Sequence, residues 1–211
     1  MTSDWSKPAR KVITRAMPWT KGRYMSDKGH NVVDWESQLE QKFCRLLEFD
    51  PVVISYHAQP QSLRLPPGYI RRKYTPDFGV FQRNGRFIYE VKPYDIATSA
   101  EWEDMFSVAR EQLADSGIQF EVRTDRDIDR EPLISNIEIL LGYRREPVTE
   151  DTVVRACDWL SEVGPVSVEQ FAEHFDASGR GVALAYFLLA THRIAAKIDK
   201  DPVDLDLLIG R

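Results

Sequence analysis

Three features of this 211-residue chain predict an α/β fold with a smaller, mainly helical appendage. Residues 74–93 hold two runs rich in β-branched and aromatic residues around Asn84-Gly85, the strongest short-range signal for a tight hairpin. An amphipathic helix over 100–115 and a strand over 118–123 come next. A helix that returns the chain to a strand beside a hairpin makes a crossover unit, expected to be right-handed. Finally, Arg144-Arg145-Glu146-Pro147 marks a boundary, and the length suits one α/β domain plus a small second one.

The first 30 residues lack a sustained period and contain Pro8, Pro18 and Gly22, so they read as an irregular arm. Asp34 is a good N-cap for a helix running to about Phe49. In it, Leu39, Phe43, Leu46 and Leu47 recur at i, i+4, i+7 and i+8 as one buried stripe. Glu40 adjoins that stripe, which puts its carboxylate at the helix–sheet boundary. Segments 52–57 and 62–65 read as strands joined by a turn at Gln59-Pro60, and Pro66-Pro67-Gly68 as a loop. Trp102, Met105, Phe106, Ala109 and Leu113 face inward from the helix over 100–115, and Gly117 ends it. Residues 131–143 form the last helix of the main domain, with Leu133, Ile137, Leu140 and Leu141 as its apolar face.

The hairpin carries the chemistry. A two-residue turn at Asn84-Gly85 would pair Arg83 with Arg86 and place Asp77 opposite Lys92. Glu90, two residues from Lys92, shares its face and lies diagonally from Asp77. Two carboxylates and an ammonium thus gather at the open end. Phe78, Val80, Phe87, Tyr89 and Val91 point to a core, while Phe81 and Ile88 share the charged face nearer the turn, so both faces are covered. Adjacent carboxylates resist joint ionisation unless a cation sits between them. Mg²⁺ suits such oxygen donors and binds through one or two carboxylates plus phosphate oxygens. A lysine beside it can orient or deprotonate the attacking water and stabilise charge on phosphate. By spacing alone, a purely structural Asp–Lys–Glu cluster explains the pattern equally well.

Beyond the boundary, Val153, Ala156, Trp159 and Leu160 mark a helix, and Gly164-Pro165 comes after it. Ser167-Val168-Glu169-Gln170 is a capping box that opens a second helix. Gly179 and Gly181 precede a third helix through Ala190, and segments 193–198 and 203–209 read as a pair of wing strands. Three helices and a hairpin is winged-helix architecture, whose third helix often reads a DNA groove. Here that helix is nearly all apolar with Arg180 at its start, which suits a core element or a protein interface better.

Net charge is −5, but its distribution matters more. Residues 1–30 carry seven Lys or Arg (Lys7, Arg10, Lys11, Arg15, Lys21, Arg23, Lys28) against Asp4 and Asp27, and Arg64, Arg71, Arg72 and Lys73 add to the basic side. From residue 146 onward, twelve acidic residues face six basic ones. Lys7, Arg10, Lys11, Arg15, Arg71, Arg72 and Lys73 are therefore the candidate phosphate contacts; a solvated extension is the competing reading of the arm. No apolar run approaches the ~18 residues of a membrane span, and the polar start resembles no secretion signal. Cys44 and Cys157 read as buried free thiols rather than a disulfide or zinc site. His30, His57, His174 and His192 are scattered and form no ligand cluster.

Pro76-Asp77 followed by Glu90-Val91-Lys92 resembles the PD-(D/E)XK nuclease signature. The preceding Glu36-Ser37-Gln38-Leu39-Glu40, Leu46-Leu47-Glu48-Phe49-Asp50-Pro51 and Gln59-Pro60 resemble the amino-terminal domain of TnsA, the endonuclease subunit of heteromeric cut-and-paste bacterial transposases. The likeness spans roughly 30–125 and is strongest over 37–93. It implies a restriction-endonuclease-like α/β/α sandwich over residues 31–145. A basic arm (1–30) would precede it, and a winged-helix-like, partner-docking domain (146–211) would come after it. It implies a Mg²⁺-dependent DNA endonuclease, with Mn²⁺ able to substitute, that cuts one strand at transposon ends. Glu40, Asp77 and Lys92 match the family's catalytic centre; Glu40, Asp77 and Glu90 would hold metal, and Lys92 would position or activate water. Some members carry Gln where this chain has Glu90. Gln59 matches a supporting position; Glu36 is the rival to Glu40, and Asp50 a peripheral charge. The implied partners are transposon-end DNA, a DDE-type transposase subunit (TnsB-like) and, through the carboxy-terminal domain, a regulator ATPase (TnsC-like), in the bacterial cytoplasm. Two other readings stay open: a self-sufficient nuclease for repair, restriction or phage recombination, and a non-catalytic DNA-binding or scaffolding relic of the fold. The intact acid–lysine set argues against the relic.

Overall fold

The structure, a computed structural model, describes residues 5, 9, 21–29, 31–69, 72–175 and 179–211. The chain divides into two compact units, residues 1–129 and 130–211. The first contains β1 (Gly22–Ser26), β2 (Asn31–Trp35), α1 (Gln38–Phe49), β3 (Val53–Ala58), β4 (Leu63–Arg64), β5 (Lys73–Tyr74), β6 (Phe78–Gln82) and β7 (Gly85–Lys92). It continues through α2 (Tyr94–Ala97), α3 (Ala100–Ala114), β8 (Ile118–Thr124) and α4 (Asp125–Ile128). The central sheet has the order β3-β6-β7-β8. Its β3–β6 and β6–β7 pairs are antiparallel, and β8 returns parallel to β7, as the crossover unit requires.

Alternation along the strands separates two cores. Phe78, Val80, Phe87, Tyr89 and Val91 pack with Phe43, Cys44 and Leu47 of α1. On the opposite face Ile88, Ile118 and Phe120 pack with Phe106, Ala109 and Leu113 of α3. A helix therefore covers each face of a mixed sheet, and both sides of β7 are dry.

The hairpin register differs from expectation by two residues. Gln82 pairs with Gly85 and Phe81 with Arg86, so the turn is Arg83-Asn84. Only Gly85, at φ 151, takes a positive φ there, a value that glycine adopts without strain. The Arg83 N–H donates to the Val52 carbonyl at 3.1 Å, which holds the turn against the start of β3. Continuing the ladder brings Asp77 level with Glu90 rather than Lys92. Because side chains alternate with period two, a two-residue slip leaves every side chain on its expected face.

The amino-terminal boundary is also corrected. Residues 22–26, expected to lie in the irregular arm, form β1 and pair antiparallel with β2, and Asp34 sits opposite Arg23 instead of capping a helix. Ser37 is the N-cap of α1, its Oγ accepting the Glu40 N–H at 3.1 Å. What orders the hairpin is tertiary. The buried Glu48 of α1 accepts from Ser26 Oγ (2.6 Å), Tyr56 Oη (3.2 Å) and the Asp27 N–H (3.2 Å). Lys28 Nζ donates to the Leu47 and Asp50 carbonyls at the carboxyl end of α1, where a cation complements the helix dipole. Farther back, Trp5 is buried against Phe81, ring centroids 4.7 Å apart. A Cβ on Gly79 would lie 2.6 Å from Trp5, so only glycine admits the indole at this point of β6.

The second unit holds α5 (Leu133–Leu141), α6 (Glu150–Val163), β9 (Val166–Ser167), α7 (Val168–Phe175), α8 (Gly181–Ala190), β10 (Ala195–Ala196) and β11 (Leu208–Gly210). Its three strands form a sheet of order β10-β11-β9. The capping box read at the start of α7 is present: the Ser167 N–H donates to Gln170 Oε1 at 3.0 Å, and the Gln170 N–H to Ser167 Oγ at 3.1 Å. Leu184, Ala185, Leu188 and Leu189 of α8 are buried, so this helix is core.

The boundary between units falls at 129/130 rather than 145/146, because α5 packs with α8 in the second unit. Buried Asn136 donates through Nδ2 to the Ile198 and Asp201 carbonyls, and its Oδ1 accepts the Val203 N–H, each at 2.8 Å. Nothing in the apolar period of 131–143 announces those distant partners. Cys44 and Cys157 are buried free thiols. Among the described residues no helix is long and apolar enough to cross a membrane. Asn136→Ala should destabilise the second unit by roughly 1–3 kcal/mol, since it strands a buried N–H and two carbonyls. The check is a lower denaturant midpoint at unchanged m value; an unchanged midpoint would mean that α5 is not held this way.

Candidate active site

Three charged side chains meet where β7 ends. Asp77 immediately precedes β6, and Pro76 before it donates no hydrogen bond. The Asp77 backbone is tied to the neighbouring turn by its carbonyl, which accepts the Gln59 N–H at 2.7 Å. Its carboxylate turns across the hairpin, Oδ2 accepting the Val91 N–H at 2.8 Å. Glu90, only 1% exposed, is bracketed by two donors: Lys92 Nζ lies 2.7 Å from Oε1 and Tyr74 Oη donates to Oε2 at 2.7 Å. Lys92 Nζ is also 3.9 Å from Asp77 Oδ2 and stands 4.9 Å from the centroid of the Trp102 ring. The expected gathering of Asp77, Glu90 and Lys92 is therefore present.

Glu40 approaches from α1. Its carboxylate completes the helix start, Oε1 accepting from Ser37 Oγ at 3.0 Å and Oε2 from the Glu36 N–H at 2.8 Å. It still lies within the fields of Asp77 and Lys92. The rival Glu36 pairs instead with Lys21 at 2.9 Å and accepts from Gln59 Nε2 at 3.4 Å. Gln59 is 3% exposed, adopts φ 49, and its Oε1 is buried with no hydrogen-bond partner among the described residues. Positive φ at a non-glycine residue costs backbone energy, which the surrounding contacts must offset. Asp50 does not join the group: it caps α1 and accepts the Val52 N–H at 2.9 Å.

Electrostatics make the cluster short of positive charge. Burial, then the charge of Asp77, pushes Glu90 up from 4.5 to about 8 despite Lys92 and Tyr74. Glu40 rises to about 7 for the same two reasons in the same order. Desolvation pulls Lys92 down, but Asp77 and Glu90 outweigh it and hold the ammonium above its ordinary range. Such a site gains from a further cation. Among the described residues, no three His, Cys, Asp or Glu side chains are grouped to hold a metal ion, so Glu40, Asp77 and Glu90 form no ready cage. The donors nonetheless fit a hard cation that keeps its own waters and takes one or two carboxylates: all are oxygens, two carboxyls are held up by burial and by the charge of Asp77, and the Gln59 Oε1 has no hydrogen-bond partner among the described residues.

Of the expected phosphate contacts, Lys7, Arg10, Lys11, Arg15 and Arg71 lie outside the described residues; Arg72 and Lys73 are exposed beside β5. Two contributors escaped the sequence reading. Tyr74 precedes Thr75-Pro76-Asp77, but only the β4–β5 pairing carries its hydroxyl to Glu90. Trp102 reads as core by its helical period, and it is also the floor beneath Lys92.

The two raised carboxyls make stability depend on pH. Glutamates with folded values above 4.5 bind more protons in the native state than when unfolded, so their contribution to stability is present at low pH and lost as pH rises through about 7 and 8. In EDTA, the Tm gap between wild type and Glu90→Gln should move in favour of the variant from about pH 5 to pH 8. A gap that is constant over that range would mean Glu90 is not held protonated by burial.

Residues 29–125 match a family model described as TnsA-like endonuclease N terminal. No curated protein matches the chain. The matched segment contains Glu40, Gln59, Tyr74, Asp77, Glu90 and Lys92 and all four strands of the central sheet with its two covering helices. Residues 29–125 are therefore similar to the amino-terminal domain of TnsA-like endonucleases, and their mixed α/β architecture is consistent with a nuclease-like fold.

Proposed function

We propose that this protein is the metal-dependent DNA endonuclease subunit of a heteromeric cut-and-paste transposase and hydrolyses one strand at each transposon end. The observation that carries the reading is the convergence of Asp77, Glu90 and Lys92 inside the family-matched segment. Asp77, Glu90 and Glu40 would hold Mg²⁺, or Mn²⁺ in its place. When bound, the ion supplies Lewis-acid polarisation of the phosphate and acidifies its water. The chain's own groups do the rest. Lys92, beside Asp77 and Glu90, would position or activate water and oppose the negative charge building on phosphate. Tyr74 and Trp102 hold Glu90 and Lys92 in one arrangement. Glu40, held by the start of α1 within the fields of Asp77 and Lys92, supplies the third carboxyl. Gln59, whose backbone N–H pins Asp77, is a positioning residue.

The second unit is proposed as a winged-helix-like module that docks the regulator ATPase. Its helices α6, α7 and α8 with the β9, β10 and β11 sheet support the architecture. The burial of α8 and the acidic balance from residue 146 favour a protein partner over a groove. The DDE-type transposase bound at the end sequence would then supply specificity and raise the local concentration of the nuclease by tethering.

On transposon-end duplex with the transposase and Mg²⁺, Asp77→Ala and Lys92→Ala should each lower nicking on the order of 10²-fold or more, because groups that act as a unit fail together. Calorimetric titration should show weakened Mg²⁺ binding for Asp77→Ala and retained binding for Lys92→Ala. A folded Asp77→Ala that cuts at the normal rate would sink the reading. Purified protein alone should cut duplex poorly in Mg²⁺ and gain nicking just outside the end when the transposase is added. Efficient partner-free cutting of arbitrary duplex would favour the self-sufficient nuclease.

A further inference from the structure

We infer that the cavity beside Lys92, at the carboxyl ends of β7 and β8, receives an unstacked nucleobase of the strand being cut; the inference rests on the nuclease reading. The cavity measures about 470 Å³ and is lined by Tyr94, Phe106, Arg110, Val122, Thr124 and Arg126 among others. That size falls within the range of small-molecule sites and leaves room for a nucleoside.

Register places it next to the acid–lysine cluster. In the parallel β7–β8 ladder Glu90 is paired with Val122 and Lys92 with Thr124, so the cavity wall shares a face with the two charged residues. Trp102, the floor of Lys92, lies tilted against Phe106, ring centroids 5.5 Å apart, and Phe106 lines the cavity. Tyr94 comes two residues after Lys92, its N–H anchored on Asp125 Oδ1 at 2.6 Å. A phosphate at Lys92 would therefore have its neighbouring nucleotide at the cavity mouth.

The lining chemistry selects the base rather than a second phosphate. Arg110 and Arg126 are balanced by Glu103 and Asp127, so the charged lining sums to zero. The Arg126 guanidinium lies over the Tyr94 ring, 3.2 Å from its centroid, and Arg110 stands 5.8 Å from the Phe120 ring. Planar cations on aromatic rings, with hydrogen-bonding groups at the edge, form the kind of platform on which bases stack without strong sequence preference. Taking a base out of a duplex costs a few kcal/mol, least where pairing is already broken. Distorted or frayed ends are thus the preferred substrates.

The test titrates the full-length protein, in EDTA and low salt, against a single-stranded oligonucleotide carrying one 2-aminopurine. Wild type should quench its fluorescence saturably. Tyr94→Ala and Arg126→Ala should each weaken binding on the order of tenfold, and Tyr94→Phe should retain it. Should Tyr94→Ala melt early by circular dichroism, Arg110→Ala on the exposed side of α3 replaces it with the same expected loss. Absence of saturable quenching by wild type, or equal affinity for wild type and the alanine variants, overturns the pocket. Neither result touches the nuclease reading, which fails separately if Asp77→Ala nicks transposon-end DNA as wild type does.

Discussion

A carboxyl group buried as deeply as Glu90 must be given partners, and much of the first unit is arranged around that requirement. Its two oxygens are taken by Tyr74 and Lys92. Tyr74 reaches it only because β4 and β5 pair. Lys92 is held over Trp102, which needs α3 on that face of the sheet. Asp77 is brought alongside by the hairpin register and anchored by the Val91 and Gln59 N–H groups. Removing any one of these leaves a buried polar group without a partner, a larger penalty than the loss of an ordinary hydrogen bond.

The same requirement recurs, away from the site, at Glu48. Ser26, Asp27 and Tyr56 satisfy it and thereby clamp the β1–β2 hairpin to α1. Since Glu40 starts α1 and Glu48 lies in its last turn, the helix is held at both ends by carboxylates with different tasks. One end completes a cap within reach of Asp77 and Lys92; the other fastens the hairpin from which Lys21 and β1 extend toward Glu36. The position of Glu40 therefore depends on a network in which it takes no part.

The cluster is short of positive charge, with two glutamates held up by burial and like charge while Lys92 stays protonated. That imbalance favours a further cation at the cluster. A lysine already engaged with two carboxylates is a well-placed positive charge. The second unit, acidic and with its third bundle helix turned into the core, offers nothing comparable for a phosphate chain among its described residues.

The hairpin, the crossover, both helix faces and the triad of Asp77, Glu90 and Lys92 were legible in residue order, because each rests on local periodicity. The face assignments survived a two-residue error in register for that reason: the period of a strand is two. Other features depended on partners distant in sequence. Asp34 has the chemistry of a cap, yet strand pairing with Arg23 took precedence and left the cap to Ser37. Residues 22–26 looked irregular because their order comes from Glu48 and Tyr56. The α5 helix looked like the end of the first domain because Asn136 shows no preference for carbonyls at 198 and 201 until the chain has folded. Sequence by itself determined which charged side chains gather at the open end of the hairpin and on which faces they lie. Tertiary structure alone decided what holds them there, Tyr74 under Glu90 and Trp102 under Lys92, because a buried charge is satisfied by whatever the fold brings near in space.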